Sequence, residues 1–331
     1  MMIKILTIPL IIFLFSCSRE IDFYPVDVEQ ELVVSAFIQP GQLDSLLLTS
    51  TFISSQSADY YEGDYKYFGV SGAKIAVLAD NDTVGTYVEA ENISYHYEGE
   101  SFDENKEYQL KISHPDYPDV SAKTTVPVVP DCWFGTYANN GEKVKETPEA
   151  HIQVLMEFDD DENTNNYYII TSSSTYNSIY TVGFPEERDS IVTRTIANQL
   201  NSESPIIEMT YDGSYYNFAQ LSFDWETFYG VSETGIIFSD KLFNGQKATI
   251  PIDLYLYGYK YTTSVQLTLT AISAEYYQML RSIVTLKKNN DSFLPEPLQM
   301  YSNVHNGHGV WAAMSSRTVS LDVSLVDFFN Y

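Results

Sequence analysis

An acidic run in the middle of the chain contains the side chains whose spacing comes nearest to a known metal-binding pattern. Asp159, Asp161 and Asn163 alternate as the first three ligands of a calcium-binding loop do. An EF-hand continues with glycine at its sixth position and glutamate at its twelfth, but this sequence has Thr164 and Ile170 there. We therefore interpret the run as a solvated acidic turn between two strands. We predict no metal, and Asp159, Asp161 and Asn163 are the candidate ligands should one bind.

Two histidines form a second candidate metal site. His305 and His308 are spaced as H-x-x-H in a glycine-rich stretch. A zinc site needs at least one further ligand, and the numerous acids nearby single none out. We therefore interpret this stretch as a glycine-rich loop that carries two histidines.

The motifs that usually accompany catalysis do not occur in the sequence. It contains no G-x-S-x-G, no phosphate-binding P-loop and no dinucleotide-binding fingerprint. Carboxylates are so numerous that no pair stands out. The sequence predicts no catalytic residue, no cofactor and no enzymatic activity, although an active site recognisable only by its geometry stays an open alternative.

Tyrosine is abundant, with 27 residues. Most of these lie in predicted strands, where aromatic side chains pack well. The polar loop over residues 54–67 has fewer partners for burial, and tyrosines in such loops are typical of recognition surfaces. The candidate binding residues of this loop are Tyr60, Tyr61, Tyr65 and Tyr67.

The N-terminus has the layout of a bacterial secretion signal. Lys4 precedes an apolar run that is shorter than the roughly 20 residues of a membrane-spanning helix. The order Leu14-Phe15-Ser16-Cys17 resembles a lipobox, whose cysteine is acylated. We predict a signal peptide over residues 1–16, lipid including palmitate on Cys17, and a lipidated tether over residues 17–28.

The composition excludes two classes of protein. The formal net charge is −27 and the pI is near 4.3, which leaves no room for the basic face of a nucleic-acid-binding protein. Two cysteines are too few for a disulfide-stapled scaffold. With Cys17 acylated, Cys132 would be the remaining thiol, which we interpret as a small buried hydrophobe.

Short β-branched and apolar segments, separated by turn residues, predict a mainly β fold. Those between residues 29 and 130 show no helical period and predict an Ig-like β-sandwich. Prolines at 127 and 130 mark the boundary to a larger β-rich domain over residues 131–331. In that domain, residues 167–171 and 179–182 are predicted as separate strands.

One helix is predicted late in the second domain, over about residues 273–288. Ser273 is a favourable N-cap and Glu275 lies in the first turn, where a negative charge is stabilised. Between them and the basic end of the segment, apolar residues recur at helical spacing and predict a stripe that faces the core.

Several segments resemble a family of Bacteroidetes lipoproteins of unknown function, which are usually encoded beside a TonB-dependent outer-membrane receptor. The segments that carry the resemblance are Cys17 and residues 32–34, 70–75, 108–110, 121–127, 159–168, 275–277, 295–297 and 301–311. In the last of these, His305 and His308 stand where the family more often has glycine. The resemblance implies an outer-membrane location and a receptor partner, and it supplies no catalytic residues.

These observations lead us to expect a lipid-anchored, non-catalytic accessory or ligand-capturing partner of a TonB-dependent receptor. The acidic residues that follow Cys17 resemble surface-lipoprotein signals and favour the cell-surface face over the periplasmic one. Two alternatives stay open: a cell-surface adhesion or structural module, and a hydrolase whose site has no recognisable motif.

Overall fold

The computed structural model describes residues 29–41, 45–51, 69–90, 94–138, 150–162, 164–182, 188–212, 234–256, 262–290 and 299–322. The strands of the first part of the chain are β1 (Leu32–Ile38), β2 (Ser45–Ser50), β3 (Lys74–Ala79), β4 (Asp82–Glu89), β5 (Ser94–Gly99), β6 (Glu107–His114), β7 (Tyr117–Thr125), β8 (Cys132–Ala138) and β9 (Ala150–Asp159). The later elements are β10 (Tyr167–Val182), β11 (Arg188–Ala197), β12 (Gln199–Asn201), β13 (Met209–Asp212), β14 (Thr234–Ser239), a 3-10 turn (Asp240–Leu242), β15 (Lys247–Leu256), β16 (Thr262–Ile272), helix α1 (Ala274–Asn290) and β17 (His308–Asp322). The prediction of a mainly β chain with one late helix is confirmed.

Most strands belong to one large mixed sheet. Its order is β13-β14-β10-β16-β17-β1-β2-β5-β4-β3-β6-β7, with β11 paired to β10, while β12-β15-β9-β8 form a smaller antiparallel sheet. The first and last described strands of the chain lie side by side, because β1 pairs with β17 in parallel. A strand from beyond the predicted boundary near residue 130 therefore joins the N-terminal strands. The boundary itself stays a prediction.

Alternation of polar and apolar residues explains the strands of the smaller sheet. In β15 every second side chain is buried, and β9 presents a matching buried row across the antiparallel pairing. The buried residues of the two strands are Ile152, Val154, Met156, Phe158, Ala248, Ile250, Ile252, Leu254 and Leu256. Full burial of a Val, Leu, Ile, Phe or Met side chain contributes about 1.5–3 kcal/mol, so this layer is a main source of stability.

One end of the large sheet curls back to the middle of the same sheet and encloses a second core. Ser121 of β7 exchanges two backbone hydrogen bonds with His305, three residues before β17 begins, with N···O distances of 2.8 and 3.3 Å. Since β17 and β1 lie in the middle of the strand order, these bonds link the β7 edge back to the middle of the same sheet. The enclosed core includes the fully buried Trp311 and Tyr95.

Strand β10 is longer than the sequence predicts. The apolar pattern indicates two short strands, whereas the structure has one strand of 16 residues. The serines between the two apolar segments have partners: Ser172 Oγ donates to Gln266 O at 3.0 Å, and Ser174 Oγ donates to Asn198 Oδ1 at 2.8 Å. Because each buried hydroxyl is satisfied, the strand continues through them at little cost.

Helix α1 begins where the sequence predicts. Ser273 Oγ accepts hydrogen bonds from the N–H groups of Tyr276 at 3.4 Å and Ala313 at 3.2 Å, so this N-cap also ties the helix to β17. Tyr277 and Leu280 pack against the apolar face of β10, β14 and β16. Within the described ranges, no helix is long and apolar enough to cross a membrane.

Glu208 connects helix α1 to the sheet. Its carboxylate accepts hydrogen bonds from the hydroxyls of Ser239 and Tyr277, and Lys241 Nζ lies 3.9 Å from its Oε1. Burial raises the pKa of Glu208, but these hydrogen bonds and the Lys241 charge outweigh it, so that the pKa lies below its ordinary value. Tyr277 is almost fully buried and stacks on Tyr167 with ring centroids 4.3 Å apart.

We expect Glu208→Gln to remove a stabilising contribution that depends on pH. Because the pKa of Glu208 is lower in the folded state, its contribution is present above the unfolded pKa of about 4.5 and is lost as pH falls through the folded pKa. The variant should be less stable than the wild type at pH 7 by about 1–2 kcal/mol, as is typical of a charged hydrogen-bond acceptor. The difference should shrink as pH falls below the unfolded pKa.

Chemical denaturation at several pH values would measure this effect. Glu203→Gln is the matched control, because Glu203 is an exposed acid five residues earlier in the chain. A stability difference for Glu208→Gln that does not change with pH would contradict the assignment.

Candidate functional site

An acidic cleft of about 790 Å³ is the candidate functional site of the described region. Four segments meet there: the proline-containing stretch before β8, the start of β8, the acidic turn between β9 and β10, and the first residues of helix α1. Side chains exposed at the cleft include Val128 and Trp133, which are 51% and 36% exposed. The cleft thus combines apolar surface with the acidic turn that the sequence singled out.

Carboxylates dominate the charge of the cleft. The acids that line it are Asp131, Asp159, Asp160, Asp161 and Glu275, and no lysine or arginine is among its described lining residues. One of these charges is offset from outside, because Arg317 Nη1 forms an ion pair with Asp131. The remaining field favours a cationic ligand or a basic surface of a partner protein.

Asp160 holds the acidic turn in place. Its Oδ1 accepts hydrogen bonds from Tyr168 Oη at 2.6 Å and Asn166 Nδ2 at 3.2 Å, and its Oδ2 accepts one from the N–H of Gly245 at 3.1 Å. Burial, together with the hydrogen bond to Asp160, raises the pKa of Tyr168 far above its ordinary value. The hydroxyl therefore stays protonated and can keep donating to the carboxylate.

Asp240 fastens the other side of the turn. It is 2% exposed, its Oδ2 accepts the N–H of Asn166 at 2.6 Å, and its own N–H donates to Asn166 O at 3.1 Å. Burial raises the pKa of this carboxyl, partly offset by the bond from Asn166. The acidic turn is therefore a preformed part of the fold, anchored by Asp160 and Asp240 to the chain around the 3-10 turn.

We expect Asp160→Ala to destabilise the protein by about 2–3 kcal/mol, because three donors lose a charged acceptor. Asp159→Ala is the matched control, since that side chain lies one residue away, is exposed, and should change stability by less than about 0.5 kcal/mol. Urea denaturation of both variants tests this. Equal effects at the two positions would show that the hydrogen bonds of Asp160 do not anchor the turn.

Trp133 forms the aromatic rim of the cleft. Its Nε1 donates to Glu157 Oε2 at 3.0 Å, and Lys247 Nζ lies 5.2 Å from the ring centroid. Lys247 also pairs with Glu157 at 2.9 Å, and this contact, with the Trp133 hydrogen bond, lowers the pKa of Glu157. These contacts fix the orientation of the indole. No pattern in the sequence indicates this role, since the three residues lie on three different strands.

The structure brings together only some of the residues that the sequence nominates. Asp159 and Asp161 both line the cleft and are exposed. Asn163, Cys17 and the candidate tyrosines Tyr60, Tyr61, Tyr65 and Tyr67 lie outside the described residues. In the part of the chain that is described, no group of three His, Cys, Asp or Glu side chains could hold a metal ion.

The two histidines of the glycine-rich stretch lie apart from the cleft, at the junction of the large sheet. His308 Nε2 lies 2.5 Å from Glu31 Oε2, and His305 pairs with β7 through its backbone. Asn303 closes the stretch, because its Oδ1 accepts the N–H of Trp311 at 3.1 Å and its Nδ2 donates to Trp311 O at 2.8 Å. In this structure the H-x-x-H segment holds the sheet together.

Cys132 is free and half-buried. Its side chain packs against the core shared by the smaller sheet and its neighbours, and burial raises the pKa of the thiol above its ordinary value. A thiol with a raised pKa is largely protonated at neutral pH and reacts slowly.

Two solved structures that align with this chain are distant likenesses. A collagen adhesin from S. aureus aligns over 87% of this chain and 95% of its own, with 10% identity and a TM-score of 0.18. A structure described as manganese lipoxygenase of Gaeumannomyces graminis and partial zonadhesin of Komagataella pastoris aligns over the same shares, with 10% identity and a TM-score of 0.19. Scores this low support no conclusion about this protein.

Among curated proteins, no sequence matches this chain. A family model does match, over residues 19–320, and it describes a domain of unknown function, DUF4249. The match spans the strands of both sheets, helix α1 and the glycine-rich stretch. The chain therefore belongs to the DUF4249 family.

Proposed function

We propose that this protein is a lipid-anchored outer-membrane protein that acts, without catalysis of its own, as an accessory or ligand-capturing partner of a TonB-dependent receptor. The observation that carries the proposal is the acidic cleft. Hydrogen bonds accepted by the carboxylates of Asp160 and Asp240 preform it, so that a partner binds without first having to order the turn. The lipobox-like order before Cys17 supports the membrane anchor. The resemblance to receptor-associated lipoproteins supports a TonB-dependent receptor as the partner.

Complementary charge gives the cleft a role in this association. Its acidic lining would attract a basic segment of the receptor and raise the rate of encounter between two proteins confined to one membrane. The exposed Trp133 and Val128 provide the apolar contact that charge alone does not, as aromatic residues do at the centre of many interfaces.

Co-purification from the native membrane tests the proposal. A tagged, full-length copy, solubilised in mild detergent, should bring down a large TonB-dependent outer-membrane protein. If no such protein is recovered in any detergent that keeps the tagged chain folded, the accessory function is wrong. The result would then favour the adhesion or structural alternative.

Charge variants test the contribution of the cleft. The double variant Asp159→Asn and Asp161→Asn should lower the recovery of the receptor. The control, Asp82→Asn with Glu98→Gln, removes the same charge from two exposed positions on β4 and β5 and should leave recovery unchanged. Equal loss in both would assign the effect to net charge and not to the cleft.

Protease treatment of intact cells tests the face of the membrane. We propose the cell-surface face, so that external protease should digest the protein while a periplasmic marker in the same cells survives. Protection equal to that of the marker would contradict the surface location and leave the receptor association as a separate question.

A further inference from the structure

Strands β10 and β11 form a two-stranded ribbon that extends beyond the rest of the large sheet. The two strands pair over residues 173–182 and 188–197. On the other side of β10, the pairing with β16 reaches only as far as Tyr176. In the described part of the chain, residues 177–182 of β10 therefore pair with β11 alone. A ribbon of two strands is marginally stable in water by itself.

The outer edge of β11 is open. No strand within the described ranges pairs with that side of β11. Natural proteins usually protect such an edge with proline, lysine or a bulge. Strand β11 contains neither proline nor lysine, and its register with β10 has no shift along its length. The ribbon thus presents a regular edge with which another extended chain can pair.

One hydrogen bond shows which backbone groups of β11 point outward. Asn198, directly after the strand, donates its N–H to Ser172 O at 2.8 Å. In an antiparallel pair, residue pairs that exchange hydrogen bonds alternate with pairs that do not. The even-numbered residues of β11 therefore bond to β10, and the odd-numbered ones turn their N–H and C=O groups outward. Four of these odd-numbered residues are Asp189, Ile191, Thr193 and Thr195.

Two further contacts agree with this alternation. Thr263 Oγ1 donates to Thr175 O at 3.1 Å, so the carbonyl of this odd-numbered residue of β10 points away from β11. Thr193 Oγ1 donates to Asn177 Oδ1 at 2.9 Å, and such close side chains are typical of pairs that exchange no backbone bonds. The edge of β11 therefore offers a row of alternate residues, each with one donor and one acceptor.

We propose that the open edge of β11 binds an extended segment of a partner protein as an added antiparallel strand. In this segment an acidic residue precedes an apolar residue by two positions. Backbone hydrogen bonds to the edge would supply affinity, and the side chains would supply specificity. This inference goes beyond the proposed function, because it requires neither the acidic cleft nor a receptor.

The exposed side chains of β11 select this pattern. Val192 is 39% exposed, and Arg194 is exposed on the same face, because residues two apart in a strand share a face. An apolar residue opposite Val192 removes apolar surface from water. A carboxylate opposite Arg194 forms a favourable cross-strand pair, whereas a lysine there would be repelled. A second copy of this chain fits less well, because two bodies with a net charge of −27 repel each other.

Fluorescence anisotropy on the purified full-length protein tests the proposal with labelled, end-blocked peptides. The probe Ser-Thr-Glu-Thr-Val-Val-Ser, added antiparallel, can place its glutamate opposite Arg194 and its first valine opposite Val192. We expect saturable binding with a Kd of about 100 μM or lower, because backbone bonds form along the probe. The same peptide with lysine in place of glutamate should bind about threefold weaker. Absence of saturable binding of the probe, or equal binding of the lysine peptide, would overturn the proposal.

Methylated peptides test whether the backbone carries the binding. In the proposed pairing, the nitrogen of the second threonine of the probe faces β11, opposite Thr193, and the nitrogen of the glutamate points away. A methyl group on the threonine nitrogen should weaken binding about tenfold, and one on the glutamate nitrogen should change it by less than about threefold. Equal effects of the two methyl groups would refute strand addition.

Variants of Thr193 locate the binding on the protein. Thr193→Pro removes an outward N–H, a position at which an edge strand tolerates proline, and should weaken binding about tenfold. Thr193→Val, the matched control, keeps the N–H and should bind within about threefold of the wild type. Equal binding by the two variants would refute the assigned edge. If Thr193→Pro does not fold, as judged by urea denaturation, the methylated peptides decide the question.

Sedimentation of the wild type and the proline variant tests the other occupant of the edge. We expect both to sediment as monomers at the protein concentrations of the binding experiment. A wild-type dimer that Thr193→Pro dissociates would show that a second copy occupies the edge, and would overturn the proposal.

Discussion

Replacing Gly309 with alanine is expected to destabilise this protein by more than about 3 kcal/mol, the sum of backbone strain and a direct clash. Gly309 has a φ of +100°, a conformation that L-residues rarely adopt. A Cβ atom added there would lie 1.9 Å from the carbonyl oxygen of Val34 on β1. Because backbone atoms of a paired strand cannot move aside as a flexible side chain can, β1 and β17 would have to separate at this point.

Gly41→Ala separates the clash from the strain. Gly41 also has a positive φ, +73°, but no described atom lies within 4 Å of the position of an added Cβ. Its replacement should cost about 1–2 kcal/mol, the price of the left-handed backbone alone. Urea denaturation of both variants measures the difference. If Gly309→Ala is no less stable than Gly41→Ala, the close approach of β1 and β17 does not contribute to folding.

Replacing Cys17 with alanine is expected to release the protein from the membrane. Each buried CH₂ of an acyl chain contributes about 0.8 kcal/mol, so several chains anchor a protein stably and their loss leaves no comparable attachment. The wild type should sediment with membranes and leave them only in detergent, whereas Cys17→Ala should appear in the soluble fraction. Labelling with radioactive palmitate should mark the wild type and not the variant.

The second cysteine provides the control. Cys132→Ala removes the other thiol of the chain and should keep both the label and the membrane location. If Cys17→Ala still sediments with membranes and carries label, acylation at Cys17 is wrong. If it loses the label but still sediments, membrane association comes from a protein partner instead of lipid.

The local sequence was sufficient to predict those elements that depend on interactions between neighbouring residues. Alternating burial in β6 and β15 follows from the two-residue period of a strand, and the start of α1 follows from the capping chemistry of Ser273. The mainly β class and the late helix were predictable for this reason. Strand β10 was predicted as two pieces, because the partners of its central serines are distant in sequence.

The candidate site was predictable in part. The acidic turn was evident from its composition, but the pattern pointed to Asp159 and Asp161, which are exposed, and passed over Asp160, which anchors the turn. Asp160 differs from Asp159 and Asp161 because it accepts hydrogen bonds from Tyr168, Asn166 and Gly245. Hydrogen bonds across this separation leave no periodic trace in a single sequence.

The sequence by itself determined the mainly β class, where the helix begins and which stretch is an acidic turn, because periodicity, capping and charge density are properties of neighbouring residues. Only the tertiary structure decided which segments lie next to one another. It paired β1 with β17 across almost the whole chain and formed the cleft between four separate segments. Such pairings depend on strand order and register, which the burial of the whole sheet selects and no single segment encodes.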